Sequence, residues 1–148
     1  MNADARQQLT SMAIALQRAA RRTPFDDQAW ASDVPTTGGV YALWERSSGA
    51  MIYVGETSSL RLRMRDLGRS INHTCRRKIA AKEGMVGAPE AELSDVIAKH
   101  YVVSFLPVAL GRKELEEFLS LRHRRTLLNS PTRRHLRGTA YDWVEELT

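Results

Sequence analysis

The stretch Gly38-Gly39-Val40-Tyr41-Ala42-Leu43-Trp44-Glu45, followed after a turn by Met51-Ile52-Tyr53-Val54-Gly55, decides how this chain folds. Residues 39–45 and 51–55 are rich in aliphatic and aromatic side chains. They flank Arg46-Ser47-Ser48-Gly49-Ala50, which has the composition of a turn. That pattern predicts a β-hairpin. Alternation puts Tyr41 and Leu43 on one face of the first strand, and Met51 and Tyr53 on one face of the second. With Tyr41 paired opposite Tyr53, both phenols point the same way. A slip of one residue would separate them. The expectation is a shared face.

After the hairpin, Leu60, Met64, Leu67 and Ile71 recur at helical spacing and predict a helix over about 59–71 with a buried stripe. At ~100° per residue, Arg63 falls roughly 60° from the centre of that stripe, while Arg61, Arg65 and Arg69 fall on the far side. Three of the four arginines thus face solvent, and Arg63 flanks the core. Residues 72–89 are polar and basic, with Arg76-Arg77-Lys78, and predict a short helix (74–83) and a loop. A further short helix is expected over 90–99. Residues 101–108 read as a strand, with Pro107 marking an edge. Residues 113–128 read as a helix ended by Asn129-Ser130-Pro131.

Ahead of the hairpin, Leu9, Met12, Ala13, Leu16, Ala19 and Ala20 predict an amphipathic helix over 3–22. Arg18, Arg21 and Arg22 suit its C-terminal end. Residues 23–38 form a connector anchored by Trp30. The predicted class is α+β: a small three-stranded antiparallel sheet flanked by helices. A single domain is expected over 1–148, divided into an N-terminal helix and connector (1–37), a core (38–131) and a C-terminal extension (132–148).

The 148 residues include 43% hydrophobic side chains, enough to bury a core. No apolar run approaches the ~20 residues that span a bilayer. The N-terminus lacks an apolar secretory segment, and the single cysteine, Cys75, leaves no internal disulfide. A cytoplasmic protein without a membrane partner is expected. The net charge of +5 is unevenly spread. Residues 61–137 hold 17 Lys/Arg against 8 Asp/Glu, whereas 138–148 hold no Lys/Arg and 3 Asp/Glu. Such a basic field suits a phosphate backbone, and equally a solvated arginine-rich surface.

Several residue types carry chemistry. A guanidinium is planar, permanently charged and able to grip two phosphate oxygens, so Arg63 beside a buried stripe is a candidate phosphate ligand. Its ordinary alternative is a stem packed on the core with its head in water. On the 113–128 helix, Glu116 is expected to point away from the core, Glu114 to lie within the apolar arc and Glu117 at its edge beside Leu121. Magnesium often takes only one or two protein carboxylates, so one inward-edge glutamate suffices. Surface ion pairing is the alternative. Tyr41 and Tyr53 are either strand aromatics or site phenols. A phenol titrates near ~10 and is a poor base unless a cation or metal favours its phenolate. Gly39 and Gly55 either tighten strand ends or admit a close backbone or substrate approach. Asn129 fits a helix cap. His73 and Cys75 do not by themselves make a metal site.

The two tripeptides Gly39-Val40-Tyr41 and Tyr53-Val54-Gly55 enclose eleven residues, 42–52, and Arg63 follows Tyr53 by ten. Glu117 and Asn129 stand twelve apart downstream. In that order and spacing the strings GGVYALWERSSGAMIYVGETSSLRLRMR and ELEEFLSLRHRRTLLN resemble the GIY-YIG nuclease family over roughly 38–131. The resemblance implies metal-dependent phosphodiester cleavage with Mg²⁺ or Mn²⁺. It implies Tyr41 and Tyr53 as active-site phenols, Arg63 as the phosphate-binding arginine, Glu117 as metal ligand and Asn129 as a supporting amide, with Gly39 and Gly55 as site backbone. Two positions depart from the family. Leu67 stands where a histidine or tyrosine is usual, four residues after the arginine. Glu56 follows Tyr-Val-Gly where small, polar or basic residues are usual, and Glu114 is a second candidate ligand.

The expected activity is a metal-dependent DNA endonuclease, monomeric or homodimeric. Arg61, Arg65, Arg76, Arg77, Lys78, Arg125, Arg133 and Arg134 are the expected backbone contacts. The alternative is a nucleic-acid-binding module on the same fold with a weakened site, which Leu67 favours.

Overall fold

The structure of the protein is a computed structural model that describes residues 1–24, 33–69, 73–129 and 141–147. Three strands form one antiparallel sheet: β1 (Gly39–Glu45), β2 (Met51–Thr57) and β3 (Tyr101–Pro107), in the spatial order β2-β1-β3. The hairpin therefore supplies the central strand and one edge. Five helices are described: α1 (Ala3–Arg18), α2 (Leu60–Arg69), α3 (Thr74–Lys82), α4 (Glu90–His100) and α5 (Arg112–Arg122). The fold is a small α+β arrangement with helices on both faces of the sheet. No helix among the described residues is long and apolar enough to cross a membrane.

Alternation along β1 divides the core in two. Tyr41 and Leu43, with Tyr53, Tyr101 and Val103, pack under Leu60, Met64 and Leu67 of α2, Cys75 and Ile79 of α3, and Leu93 and Ile97 of α4. Val40, Ala42 and Trp44, with Met51 and Val54, pack under Leu9, Ala13 and Leu16 of α1 and Leu115, Phe118 and Leu119 of α5. All but a few of these are essentially water-free. Met51 and Tyr53, expected on one face, are split between the layers: at the irregularity Ile52 and Tyr53 both turn to the Tyr41 layer, and Met51 packs with Trp44.

The two phenols do share a face, but they are not directly opposite. Tyr41 pairs with Gly55, and Leu43 pairs with Tyr53. The offset is two residues, so parity is kept and the phenols become diagonal neighbours. The reason is steric. A Cβ at position 55 would lie 2.5 Å from the Tyr41 ring, so the ring rests on the bare backbone of Gly55. Ile52 is the extra residue of an irregularity between Leu43 and Trp44. Gly39 has a similar reason: a Cβ there would overlap the Leu106 carbonyl and the Leu60 side chain.

Other expectations shift at their ends. The first helix stops at Arg18. Arg21 then lies over the Trp44 ring at 3.7 Å and donates to Ser104 Oγ, and Arg22 continues as a backbone bridge to Val103 of β3. These contacts hold the chain against the sheet instead of extending the helix. The last helix stops at Arg122, six residues short of the expected end. Residues 126–129 are recruited by the free edge of β2: Thr126 Oγ1 donates to the Met51 carbonyl and the Leu128 N–H to the Ile52 carbonyl. Trp30, Ile71, Asn72, Pro131, Arg133, Arg134 and His135 lie outside the described residues, as does most of the basic loop after 131.

Candidate active site

Three of the singled-out side chains converge on the α2–α4 face. The Tyr41 and Tyr53 rings stack with centroids 6.2 Å apart at 28°. Arg63 reaches them from α2: Leu60, Met64 and Leu67 bury one side of that helix completely, which sets Arg63 at the margin of the stripe, half-buried. The Arg63 guanidinium is close enough to pull both phenols toward ionisation, yet the buried Tyr41 hydroxyl closes no hydrogen bond of normal geometry.

The net electrostatics favour protonated phenols. Burial pushes Tyr41 well above its usual value, aided by Tyr53 and Cys75, and Arg63 only partly offsets this. Burial, Cys75 and Glu116 raise Tyr53 to about 12 against the same arginine. Burial works to lower the pKa of Arg63, but the two phenols outweigh it and raise it. As arranged, the phenols are hydrogen-bond donors and Arg63 is a fixed cation.

Two acids bear on this group among the described residues: Asp66, one turn along α2, on Arg63, and Glu116 of α5 on Tyr53. Leu115 and Leu119 are the inward residues of α5, and Arg112, one turn before Glu116, pairs with Glu56 of β2 at 2.7 Å. The flank carrying 112 and 116 therefore fronts β2. That places the half-buried Glu116, expected to point outward, where its charge bears on Tyr53. Glu117 lies another ~100° around the helix. It is 7% exposed, and its carboxylate accepts a hydrogen bond from the Tyr141 hydroxyl at 2.8 Å. Glu114, expected within the apolar arc, is exposed in the first turn of α5. The apolar arc was drawn too wide because Leu121 is only half-buried.

Among the described residues no group of three or more His, Cys, Asp or Glu side chains converges. A magnesium ion at the phenols would thus take no more than two side-chain ligands from the described residues, with water and phosphate oxygens completing its shell. The carboxylate of Glu116 fits that all-oxygen requirement by its chemistry and by its charge bearing on Tyr53.

Asn129 does not cap a helix. The Val54 N–H donates to Asn129 Oδ1 at 3.0 Å, and Asn129 Nδ2 donates to the Val54 carbonyl at 2.7 Å. One side-chain amide thus pairs both outward backbone groups of an edge residue next to Tyr53. Its role is to hold β2 in place.

The expected phosphate contacts divide. Arg61, Arg65 and Arg77 are exposed, and Lys78 is half-buried. Arg61 Nε also donates to the Val34 carbonyl. Arg125 is exposed and pairs with Glu146 at 3.2 Å. Arg76 is not a surface contact at all. It is 1% exposed and donates to the Glu90 carboxylate, the carbonyls of Leu67 and Glu90, and Ser94 Oγ. It ties α2, α3 and α4 together.

His73 belongs to the group although its sequence context gave little sign of it. Its ring meets Tyr41 edge-on at 6.1 Å, and its Nδ1 accepts the Cys75 N–H at 3.1 Å, capping α3. The available signal was a polar residue immediately before a helical run. Burial, with the charges of Arg63, Arg76 and Arg77, lowers its pKa to about 3.

Two expected outcomes follow from this geometry. Gly55→Ala forces the Tyr41 ring to move, and overpacking of this kind costs about 1–3 kcal/mol. Chemical denaturation should show that loss, and tyrosine fluorescence should report a changed ring environment. The second concerns pH. Unfolded His73 takes up a proton as pH falls through ~6.5, whereas the folded protein resists until about 3. The unfolded state then binds more protons, so stability falls as pH drops across that window. His123, lowered to about 4 by burial and Arg122, adds in the same sense. Melting temperatures between pH 7 and 4 should decline less steeply in His73→Asn, which keeps a capping side chain.

No protein-family model, no curated protein and no solved structure matches this chain.

Proposed function

We propose that this protein is a metal-dependent endonuclease of the GIY-YIG type that hydrolyses DNA phosphodiester bonds. The observation that carries the reading is the convergence of Arg63 with Tyr41 and Tyr53, from a helix and a hairpin, beside a carboxylate from a third element. Phosphodiester cleavage builds negative charge, and a held cation with neutral donors is the environment that lowers its cost. Arg63 would neutralise phosphate oxygens. Burial keeps the phenols protonated, so they orient the phosphate or the attacking water in place of abstracting a proton. A magnesium or manganese ion, when bound, supplies Lewis-acid polarisation of the phosphate and lowers the pKa of a water ligand. We assign Glu116 to hold it, in place of the Glu117 that the family resemblance implies. Arg61, Arg65 and Arg77 would carry the backbone, giving affinity without sequence reading.

A second reading is a DNA-binding module that does not cut. The fully buried Leu67 favours it, because α2 offers no imidazole or phenol four residues after Arg63. Incubation with single-stranded, duplex and nicked DNA, and with RNA, in Mg²⁺ or Mn²⁺ against chelator distinguishes the two. Metal-dependent cutting supports the nuclease. Salt-sensitive binding with no product on any substrate supports the module.

A further inference from the structure

We infer that His73 is a substrate-binding residue: its Nε2–H and the Tyr41 hydroxyl donate together to one non-bridging phosphate oxygen beside Arg63. The inference rests on the phosphodiester reading above and extends it to a residue outside the family pattern. His73 Nε2 and Tyr41 Oη are both buried side-chain atoms that close no hydrogen bond of normal geometry among the described residues, although Arg63 and Tyr53 lie close to the Tyr41 hydroxyl. Their residues are 1% and 0% exposed. Leaving such groups unmet inside a protein is unfavourable, so each unpaired group in a native fold calls for an explanation.

The chemistry of the pair specifies the ligand. His73 Nδ1 accepts the Cys75 N–H, so that nitrogen carries no proton. The neutral ring therefore holds its proton on Nε2, which is a donor. Three nearby positive charges, on Arg63, Arg76 and Arg77, oppose a second proton. The Tyr41 hydroxyl is a donor too, since burial keeps it protonated. Arg63 contributes only donors. Three donors from β1, α2 and the start of α3 are thus neighbours, with the His73 ring edge-on to Tyr41 and Arg63 acting on both, and together they suit an acceptor carrying negative charge. A bound cation would meet the wrong polarity there. A phosphate oxygen has the right charge and lone pairs for at least two of these bonds.

Two substitutions separate donation from capping. Asparagine at 73 can cap α3 but ends short of the Nε2 position. Glutamine places an amide N–H near that position and caps poorly. Expected results are a loss of cutting of about tenfold or more in His73→Asn at unchanged melting temperature. His73→Gln should regain most of the rate while melting lower. Independently, nitrogen NMR of the ¹⁵N-histidine-labelled full chain should show His73 as the Nε2–H tautomer. Its Nε2–H signal should move in a saturable way on titration with inorganic phosphate, and not in Arg63→Ala. Wild-type cutting by His73→Asn overturns the inference and leaves the nuclease reading standing. A Nε2–H signal indifferent to phosphate, as an internal water alone would give, also overturns it. Saturable phosphate response in a protein that cuts nothing upholds the inference and rejects the nuclease.

Discussion

Arg63→Ala is expected to slow single-turnover DNA cleavage by about 10²–10³-fold, the loss typical of removing one fixed donor from a charge-stabilising site. Stability should change little. Arg63 is half-buried at the edge of the α2 stripe, and its contact with the Tyr41 hydroxyl closes no hydrogen bond of normal geometry, so truncation removes only a weak interaction. Arg63→Lys should recover only part of the rate. An ammonium is a point charge and cannot span two phosphate oxygens as the planar fork does. Gel-based cleavage under enzyme excess, with thermal melting of the same samples, measures both quantities. A large fall in melting temperature would mean that Arg63 holds the fold together.

Arg76→Ala should do the reverse, lowering stability by about 3 kcal/mol, or on the order of 10 °C in melting temperature. Its guanidinium serves the Leu67 and Glu90 carbonyls and Ser94 Oγ from a buried position, and truncation leaves both a void and unmet acceptors. Glu90 itself contributes less to the penalty, because its side chain is 42% exposed and can be solvated once unpaired. Arg76→Met restores volume without the hydrogen bonds and should recover part of the loss. At temperatures where the variant remains folded, the salt dependence of DNA binding should match wild type. A reduced salt slope would show that Arg76 contacts phosphate after all.

The contrast between these two arginines shows what the sequence made legible. Arg63 could be read because helical periodicity is local: Leu60, Met64 and Leu67 define the stripe it borders. Arg76 sits in a run of three basic residues that looks like a solvated surface. Its burial depends on Glu90 and Ser94 from the next helix, which no local pattern reveals. The hairpin and the shared face of its phenols followed from alternation. The actual offset did not, because it is set by the Tyr41 ring resting on Gly55 across the strand boundary. The position of Glu116 relative to the phenols was not legible for a similar reason. A helical wheel ranks positions by apolar neighbours along the helix, whereas α5 is turned by Arg112 reaching Glu56 on β2 and by Tyr141 reaching Glu117. The end of α5 escaped notice because the β2 edge, through Asn129 and Leu128, competes for residues that helical spacing alone would extend. His73 was hidden because its significance lies in a missing partner, a property of three-dimensional packing.

The central proposal is that the phenols, Arg63 and Glu116 work as one phosphodiester-cleaving site. The direct measurement is conversion of supercoiled DNA by the wild-type chain in Mg²⁺, set against chelator, Arg63→Ala, Glu116→Gln and Glu117→Gln. The expected result is metal-dependent cutting that Arg63→Ala and Glu116→Gln abolish and Glu117→Gln largely retains. Cutting by Arg63→Ala and Glu116→Gln at the wild-type rate, or no cutting by any of the folded proteins, would contradict it.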